Sequence, residues 1–503
     1  MIKTYPAYYE NFRCIADRCE DTCCAGWEID IDDATYEAYM QVDGELGERL
    51  RACIRAYDEA AADANAVDAD GADSADADTV DADDADSADA DGTRDSGGYE
   101  EIYEAHGFIL TDDMRCPFLD EHNLCDIYRA LGEEALCEVC TNTPRNFLEY
   151  YVRTDDGDAF VSEVSVSASC PEAARLIYGS PEKMQFISKT SEELGPDAEK
   201  AGDATMSGQT SGSSEVSESE AGLSEIPEGE PELGAFLRCV RDEAIRILQD
   251  RDRELPERIR RFLRHAEAAQ EAINAWESDG DELPEGASAE SGGTELPDGI
   301  IEEADVFLSK LEGVTGASGD AGERYRHFLI RMGTFSGLAS IGDRWADRVE
   351  LIYRSFIGDA DETDDDGETQ RGETDFGEDE NNDFSARYTN TSDNLQKYLT
   401  EKGRLYEYEH LLVYYAFLLL NRSIDDYDYL GKAKLVVLSY LMNRDMDTAV
   451  FLQKGSLAKE DREENARIYA REVEHAEENL ADLAEEILFE RAFDTDALIG
   501  ILG

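Results

Sequence analysis

Residues 255–276, LPERIRRFLRHAEAAQEAINAW, place Ile259, Phe262, Leu263, Ala266, Ile273 and Trp276 at steps of three and four. That repeat lines one face of an α-helix. Residues 405–421, LYEYEHLLVYYAFLLLN, are apolar nearly all round, so this helix is expected to be enclosed by others. KAKLVVLSYLM at 432–442 continues in the same style. Residues 468–487, IYAREVEHAEENLADLAEEI, carry an apolar stripe of Val473, Ala476, Leu480, Leu483 and Ile487, with Arg471, His475 and Asn479 on the opposite face. Earlier in the chain the period changes to two. GFILTDDMRCPFLDEHNLCDIY (107–128) reads as two strands around a turn at Asp120–Asn123, and FLEYYVRTDDGDAFVSEVSV (147–166) as a second hairpin turning at Asp155–Asp158. The pattern predicts an α+β chain that is mostly α: a small cysteine-rich module with β-hairpins, then a helical C-terminal region.

Four acidic, low-hydrophobicity tracts interrupt it, at 58–99, 190–231, 276–300 and 359–392. Such runs bury too little apolar surface to offset chain entropy and are expected to be disordered. The expected organisation is therefore 1–57 and 100–189 as two halves of the cysteine-rich module, 58–99 as an insertion in it, 190–231 as a linker, and 232–503 as a helical domain with insertions at 276–300 and 359–392. Across the 503 residues, 118 Asp and Glu face 46 Lys and Arg, a formal net charge of −72. That argues against nucleic-acid binding, which needs a basic footprint, and against an anionic membrane surface. The start, MIKTYPAYYENFRC, has no apolar secretory core. The longest apolar run, LLVYYAFLLL, is about half of what a bilayer span needs. A cytoplasmic location is the expectation.

The eleven cysteines bring in chemistry. Cys14, Cys19, Cys23 and Cys24 form one group; Cys116, Cys125, Cys137, Cys140 and Cys170 form another beyond the first acidic tract. Cys53 and Cys239 lie alone in helix-like surroundings and read as small buried hydrophobes. Without a secretory signal a disulfide framework is disfavoured. Structural zinc and an iron–sulfur cluster both suit grouped thiolates, and spacing leaves both open. Cys137 and Cys140 share a helical face. Cys170 precedes Pro171 at a helix start, where a thiolate is expected to be favoured. His106 and His122 are expected in exposed loops.

The segments PAYYENFRC, CEDTCCAGW, CPFLDEHNLCDIY, LGEEALCEVCTNTPR and SCPEAARLI, with YEYEHLLVYYAF and IYAREVEHAEENL later on, resemble the flagellin lysine-N-methylases. His410 and Ala470 stand where that family leads one to expect Asn and Ser. The resemblance implies a protein-lysine N-methyltransferase that uses S-adenosylmethionine and carries a [4Fe–4S] cluster, with zinc as the alternative metal. Four of the nine grouped cysteines would hold the metal. The implied partner is a protein with exposed lysines, flagellin by family expectation.

The cofactor leaves no signature of its own. GASGDAGERYRH (316–327) is Gly-rich but follows no strand, and Cys19-x3-Cys23 runs directly into Cys24 rather than completing C-x3-C-x2-C. Lysine methylation needs a base and a slot that favours the neutral amine. The candidates are Glu409 and His410, where the apolar helix begins, and Arg471, Glu472 and His475 in the 468–487 segment. Tyr406, Tyr414 and Tyr415 are either core or the wall of a cation slot. The competing reading is a non-catalytic metal-binding or redox module whose helical half docks a partner.

Overall fold

A computed structural model describes residues 1–19, 21–26, 29–56, 106–111, 114–155, 157–194, 230–279, 321–340, 343–358, 378–474 and 476–502. The expected insertion at 58–99, and most of the tracts at 190–231, 276–300 and 359–392, lie outside these residues. The described chain is mostly helical, with seven strands: β1 (Ile2–Pro6), β2 (Asp30–Ile31), β3 (Ile54–Ala56), β4 (His106–Phe108), β5 (Arg145–Thr154), β6 (Gly157–Val166) and β7 (Phe186–Thr190). It divides into two units, Cys24–Thr141 and Met1–Cys23 with Asn142–Gly503. The expected cysteine-rich module is thus cut at Cys23, and its second hairpin joins the helical unit.

In the smaller unit β4 lies between β2 and β3, antiparallel to both. Ile29, Ile31, Tyr39, Leu50, Phe108, Phe118 and Ile127 close a small core. Asp32 ties this core to the thiol-bearing helix. One carboxylate oxygen caps Asp33–Met40 by accepting from Thr35 N–H at 2.9 Å, and the other accepts from Glu138 N–H at 2.9 Å. The expected turn at 120–123 forms: Asp120 accepts from the N–H groups of His122 and Leu124, and Asn123 takes φ 59°. The two long strands expected around it do not. Among the described residues after β4, the bridges Ala25–Arg115 and Leu119–Cys125 are the pairings there, and Ile127 belongs to the helix Asp126–Leu131. Cys125 Sγ takes up the N–H of Tyr128 at that helix start.

In the larger unit the 147–166 hairpin forms as the alternation predicts, in register from Arg145↔Val166 to Thr154↔Gly157. β1 pairs parallel with β6 and antiparallel with β7, giving the order β5-β6-β1-β7. The helix Glu230–Leu248 lies on this sheet so closely that a Cβ at Gly234 would stand 2.0 Å from the Tyr151 carbonyl oxygen. Arg241 reaches the buried Glu163 carboxylate, which also accepts from Tyr150 OH at 2.8 Å.

The amphipathic 255–276 stretch is the helix Leu255–Asp279, so the tract expected to be disordered from 276 begins inside it. The apolar stretch is the helix Tyr406–Leu419, enclosed from Glu407 to Leu419. Beside it runs Tyr429–Lys454, started by Asp428 accepting from Gly431 N–H and ended by Gly455 at φ 69°. Two further expectations change. The helix Glu378–Lys402 occupies residues expected to be disordered up to 392; Tyr388 is buried inside that tract, and Leu395 and Leu399 are buried just past it. The single helix expected over 468–487 is two, Lys459–Glu474 and Glu477–Phe489. Asn479, expected on a polar face, is fully buried. It bonds Ala339 N–H and C=O at 2.8 and 2.9 Å, and its amide also donates to the Glu472 carbonyl at 2.8 Å. The break frees that carbonyl, and Asn479 satisfies it. No helix among the described residues is long and apolar enough to cross a membrane.

Candidate active site

The last residue of the helix Lys459–Glu474 is where buried hydroxyls converge. Glu474 Oε2 accepts from Ser167 Oγ at 2.7 Å and from Tyr414 OH at 2.9 Å; Oε1 accepts from Tyr415 OH at 3.1 Å. Tyr414 OH is fixed in turn by Ala168 N–H at 2.9 Å. So the end of one helix, the middle of the 406–419 helix and the segment following β6 share one carboxylate. Buried tyrosines seek polar partners for their hydroxyls, and here one glutamate serves two. By exposed area Glu474 is half-buried, but its carboxylate is packed tightly enough that desolvation dominates. Burial lifts its pKa to about 7 against the opposing hydrogen bonds of Ser167, Tyr414 and Tyr415.

Burial raises the pKa of Tyr8 and of Tyr178, and the Glu474 charge adds to the rise in both. Both hydroxyl oxygens are buried and have no hydrogen-bond partner among the described residues. Tyr178 is fully buried, and Arg462 lies 5.7 Å from its ring centroid. Tyr8 also lines a cavity of about 400 Å³ with Asn11, Leu176, Ile177, Met184 and His410, a volume within the usual range for small-molecule sites.

Of the residues singled out from the sequence, Tyr414 and Tyr415 are the ones that bond Glu474. Glu409 is fully buried and held by Arg251, with contacts at 2.8 and 2.9 Å, and by Arg258 at 2.7 Å. Burial raises its pKa, but the two arginines outweigh burial and leave it lowered. His410 has Nδ1 2.7 Å from the Ile177 carbonyl and Nε2 2.8 Å from the Glu182 carbonyl, so it pins the segment that walls the cavity. Arg471 donates to Asp21 at 3.1 Å, and Arg467 does so at 3.0 Å. Glu472 is buried, and His475 lies outside the described residues. Tyr414 and Tyr415 meet at the carboxylate, whereas Tyr406 donates to the Tyr178 carbonyl at 3.4 Å. The sequence reading named Glu472 and His475 but not Glu474 between them. The available signal was position: Glu474 is four beyond buried Ala470, at the edge of the apolar face.

No cysteine is in a disulfide, and each unit gathers its own thiols. In the smaller unit Cys24, Cys116, Cys125, Cys137 and Cys140 are near enough to shift one another's ionisation or that of Tyr39. Cys137 and Cys140 have Sγ atoms 3.2 Å apart. In the larger unit Cys170 feels Cys23 and Cys19, while Cys14 is exposed. Cys170 does start the helix Pro171–Ile177, but burial outweighs the backbone N–H groups of Ala173 and Glu172 and pushes its thiol up to about 11. The expected easy thiolate is therefore not formed there. His122 is exposed as expected; His106 sits in β4, stacked on Tyr36 at 3.6 Å. Among the described residues no three His, Cys, Asp or Glu side chains are grouped closely enough to hold a metal ion.

Residues 241–501 match the FliB lysine N-methylase C-terminal domain, more than half of the chain. The chain belongs to the FliB lysine N-methylase family. The matched region contains Tyr414, Tyr415 and Glu474; Tyr8, Ser167 and Tyr178 precede it. A lysine-N-methylase of Salmonella choleraesuis (strain SC-B67) is 25% identical over 187 residues, covering 37% of this chain and 35% of that protein. A lysine-N-methylase of Salmonella typhimurium (strain LT2) shows the same identity and coverage. The flagellar biosynthetic protein FliU of Salmonella muenchen is 26% identical over 188 residues, 37% of this chain and 83% of that protein. The chain spans about a third of the length of the two lysine-N-methylases it matches. No solved structure matches.

Proposed function

We propose that this FliB-family chain is a protein-lysine N-methyltransferase that moves a methyl group from S-adenosylmethionine to the ε-amine of a lysine on a flagellin-like protein. The names of the Salmonella relatives support the reaction class and the flagellar setting. The observation that carries the reading is Glu474, a carboxylate poised near neutral pH among tyrosines.

The reaction needs the ammonium of lysine to lose a proton. In water, moving that proton to an ordinary carboxylate is uphill by roughly six pKa units, about 8 kcal/mol. Moving it to Glu474 is uphill by roughly three to four, about 5 kcal/mol. Burial of the amine, which disfavours its charged form, narrows the gap further. The tyrosine faces and hydroxyls hold the head group, and the half-buried site limits water. The cavity bordered by Tyr8 and His410 offers room for the donor beside this centre.

S-adenosylmethionine, when bound, supplies an electrophilic methyl group on a sulfonium sulfur, and an iron–sulfur cluster supplies iron sites on thiolate ligands. The donor set suits such a cluster by type, soft thiols from separated segments, but as placed no three of them among the described residues lie close enough together to hold a metal ion. Cys24, Cys116, Cys125, Cys137 and Cys140 would hold it in the smaller unit; Cys19, Cys23 and Cys170 are the set of the larger. Zinc is the alternative occupant of the same thiols. Metal and sulfide analysis of Cys→Ser variants decides between them.

The test of the catalytic reading is transfer of a labelled methyl group to purified flagellin by the intact protein. Glu474→Gln is expected to lower the rate at least about a hundredfold, the usual scale for losing a general base, with the folded circular-dichroism spectrum retained. Unchanged transfer by a folded Glu474→Gln variant would overturn the assignment.

A further inference from the structure

We propose that Cys137 and Cys140 are a reversible dithiol–disulfide pair, closed by exchange with a small-molecule disulfide of the glutathione class and reopened by the matching thiol. The inference concerns the smaller unit alone. It goes beyond the methyltransferase reading and does not rest on it.

Two sulfurs already in contact carry the inference. Cys137 Sγ donates its thiol hydrogen to Cys140 Sγ across 3.2 Å. Bonded sulfurs lie about 2.0 Å apart, so closure needs an approach of only about 1.2 Å. The C-x2-C spacing brings them together because a helical turn closes between them. Thr141 N–H donates to the Cys137 carbonyl at 3.0 Å, and Cys140 lies within the helix Glu138–Asn142. Residues three apart across such a turn stand about 5 Å apart at Cα, inside the range that a disulfide spans. The turn is fixed from outside as well. Asp32 accepts from Glu138 N–H at 2.9 Å, and Tyr39 OH donates to the Ala135 carbonyl at 2.7 Å. Closing a pair already held this way costs little further ordering of the chain. Among the described residues no third His, Cys, Asp or Glu side chain completes a group that could hold a metal ion, so the placement is that of a pair.

The two sulfurs differ in access. Cys137 is fully buried and Cys140 is half-buried, so a disulfide from solution reaches Cys140 first. The Cys140 thiolate bonds one sulfur of that disulfide, whose S–S bond breaks with its electron pair on the departing thiolate. Cys137 Sγ then bonds Cys140 Sγ, and the mixed S–S bond breaks with its pair on the second small thiolate. The two protons of the protein thiols end on the two released thiols. The protein pair is oxidised by two electrons and the small disulfide is reduced by two. Closure withdraws both sulfurs from the set that would hold a metal in the smaller unit, so oxidation and metal binding there exclude each other.

The experiment treats the full chain, purified without air, with oxidised glutathione. An acid quench, alkylation and peptide mapping follow, with iron measured beside them. The wild type is expected to form the Cys137–Cys140 link first, to release any bound iron as it forms, and to recover both thiols in excess reduced glutathione. Cys137→Ser lacks the second sulfur, so glutathione is expected to stay on Cys140 at least about tenfold longer than in the wild type. Cys140→Ser is expected to take up no glutathione at the buried Cys137. The wild-type map decides alone should either variant fail to fold. Links forming elsewhere while Cys137 and Cys140 are still alkylated overturn the proposal. So does glutathione lasting equally long on Cys140 in the wild type and in Cys137→Ser, or iron retained with the two sulfurs unlinked.

Discussion

Glu409 lies in the enclosed 406–419 helix and Glu474 bonds two tyrosines of that helix, yet their surroundings point them to opposite uses. Glu409 faces two guanidinium groups and stays charged; Glu474 faces only neutral hydroxyl donors within hydrogen-bond distance, and burial lifts it to about 7. The pH consequences have opposite signs. A carboxyl whose pKa rises on folding contributes stability below the unfolded value that is lost as pH rises through the folded value. Wild-type stability should therefore fall between about pH 5 and pH 8 relative to Glu474→Gln. The gap is expected to reach about 2 kcal/mol after allowance for partial exposure, read by denaturant titration at the two pH values. A gap that does not change with pH would show that Glu474 ionises normally. Methyl transfer should rise with pH through about 7 as the base becomes available. Glu409→Gln leaves Arg258 buried opposite a neutral group, so a loss of about 3 kcal/mol is expected above pH 5. Denaturant midpoints check it.

At the scale of elements, periodicity located the helices but not their ends. The 255–276 segment was legible from its helical apolar repeat, and the 406–419 segment because it is apolar nearly all round. The break after Glu474 was not legible, because nothing local stops a helix in EVEHAEEN. It follows from distant partners: Ser167 and two tyrosines hold Glu474, and Ala339 holds Asn479. The helix from Glu378 was hidden for a related reason. Its acidic first turns read as solvated chain, and packing of Tyr388, Leu395 and Leu399 decides otherwise. The joint between the Glu230–Leu248 helix and the β5–β6 hairpin gives a direct test. Gly234→Ala would push a methyl group to 2.0 Å from the Tyr151 carbonyl oxygen, so helix and hairpin must separate. A loss of about 1–3 kcal/mol is expected, measured by thermal unfolding, although alanine is the better helix former. An alanine variant as stable as the wild type would mean that the two elements are not so closely packed.

At the scale of the whole molecule, a formal charge of −72 sets the chain against itself. Salt shortens the reach of that repulsion from about 10 Å at 0.1 M to about 3 Å at 1 M. The melting midpoint should therefore rise between those concentrations, even though isolated surface ion pairs weaken; a falling midpoint would show that the ion pairs outweigh the repulsion. The same charge is compatible with a lysine-bearing protein as partner, through faster encounter rather than tighter contact. The thiols show how far composition reaches. Their grouping in sequence announced shared chemistry, and the fold does bring separated members together, Cys24 with the 116–140 set and Cys19 and Cys23 with Cys170. It gathers them within two units rather than one module, because the chain divides between Cys23 and Cys24.

By itself the sequence determined the mostly helical class, the 147–166 hairpin, the enclosed 406–419 helix and the family, since these depend on local periodicity and on residue strings read in order. Only the tertiary structure decided which glutamate has its pKa lifted toward neutrality. A carboxylate's pKa is set by what surrounds it, and Ser167, Tyr414 and Tyr415 reach Glu474 from parts of the chain that no local pattern connects.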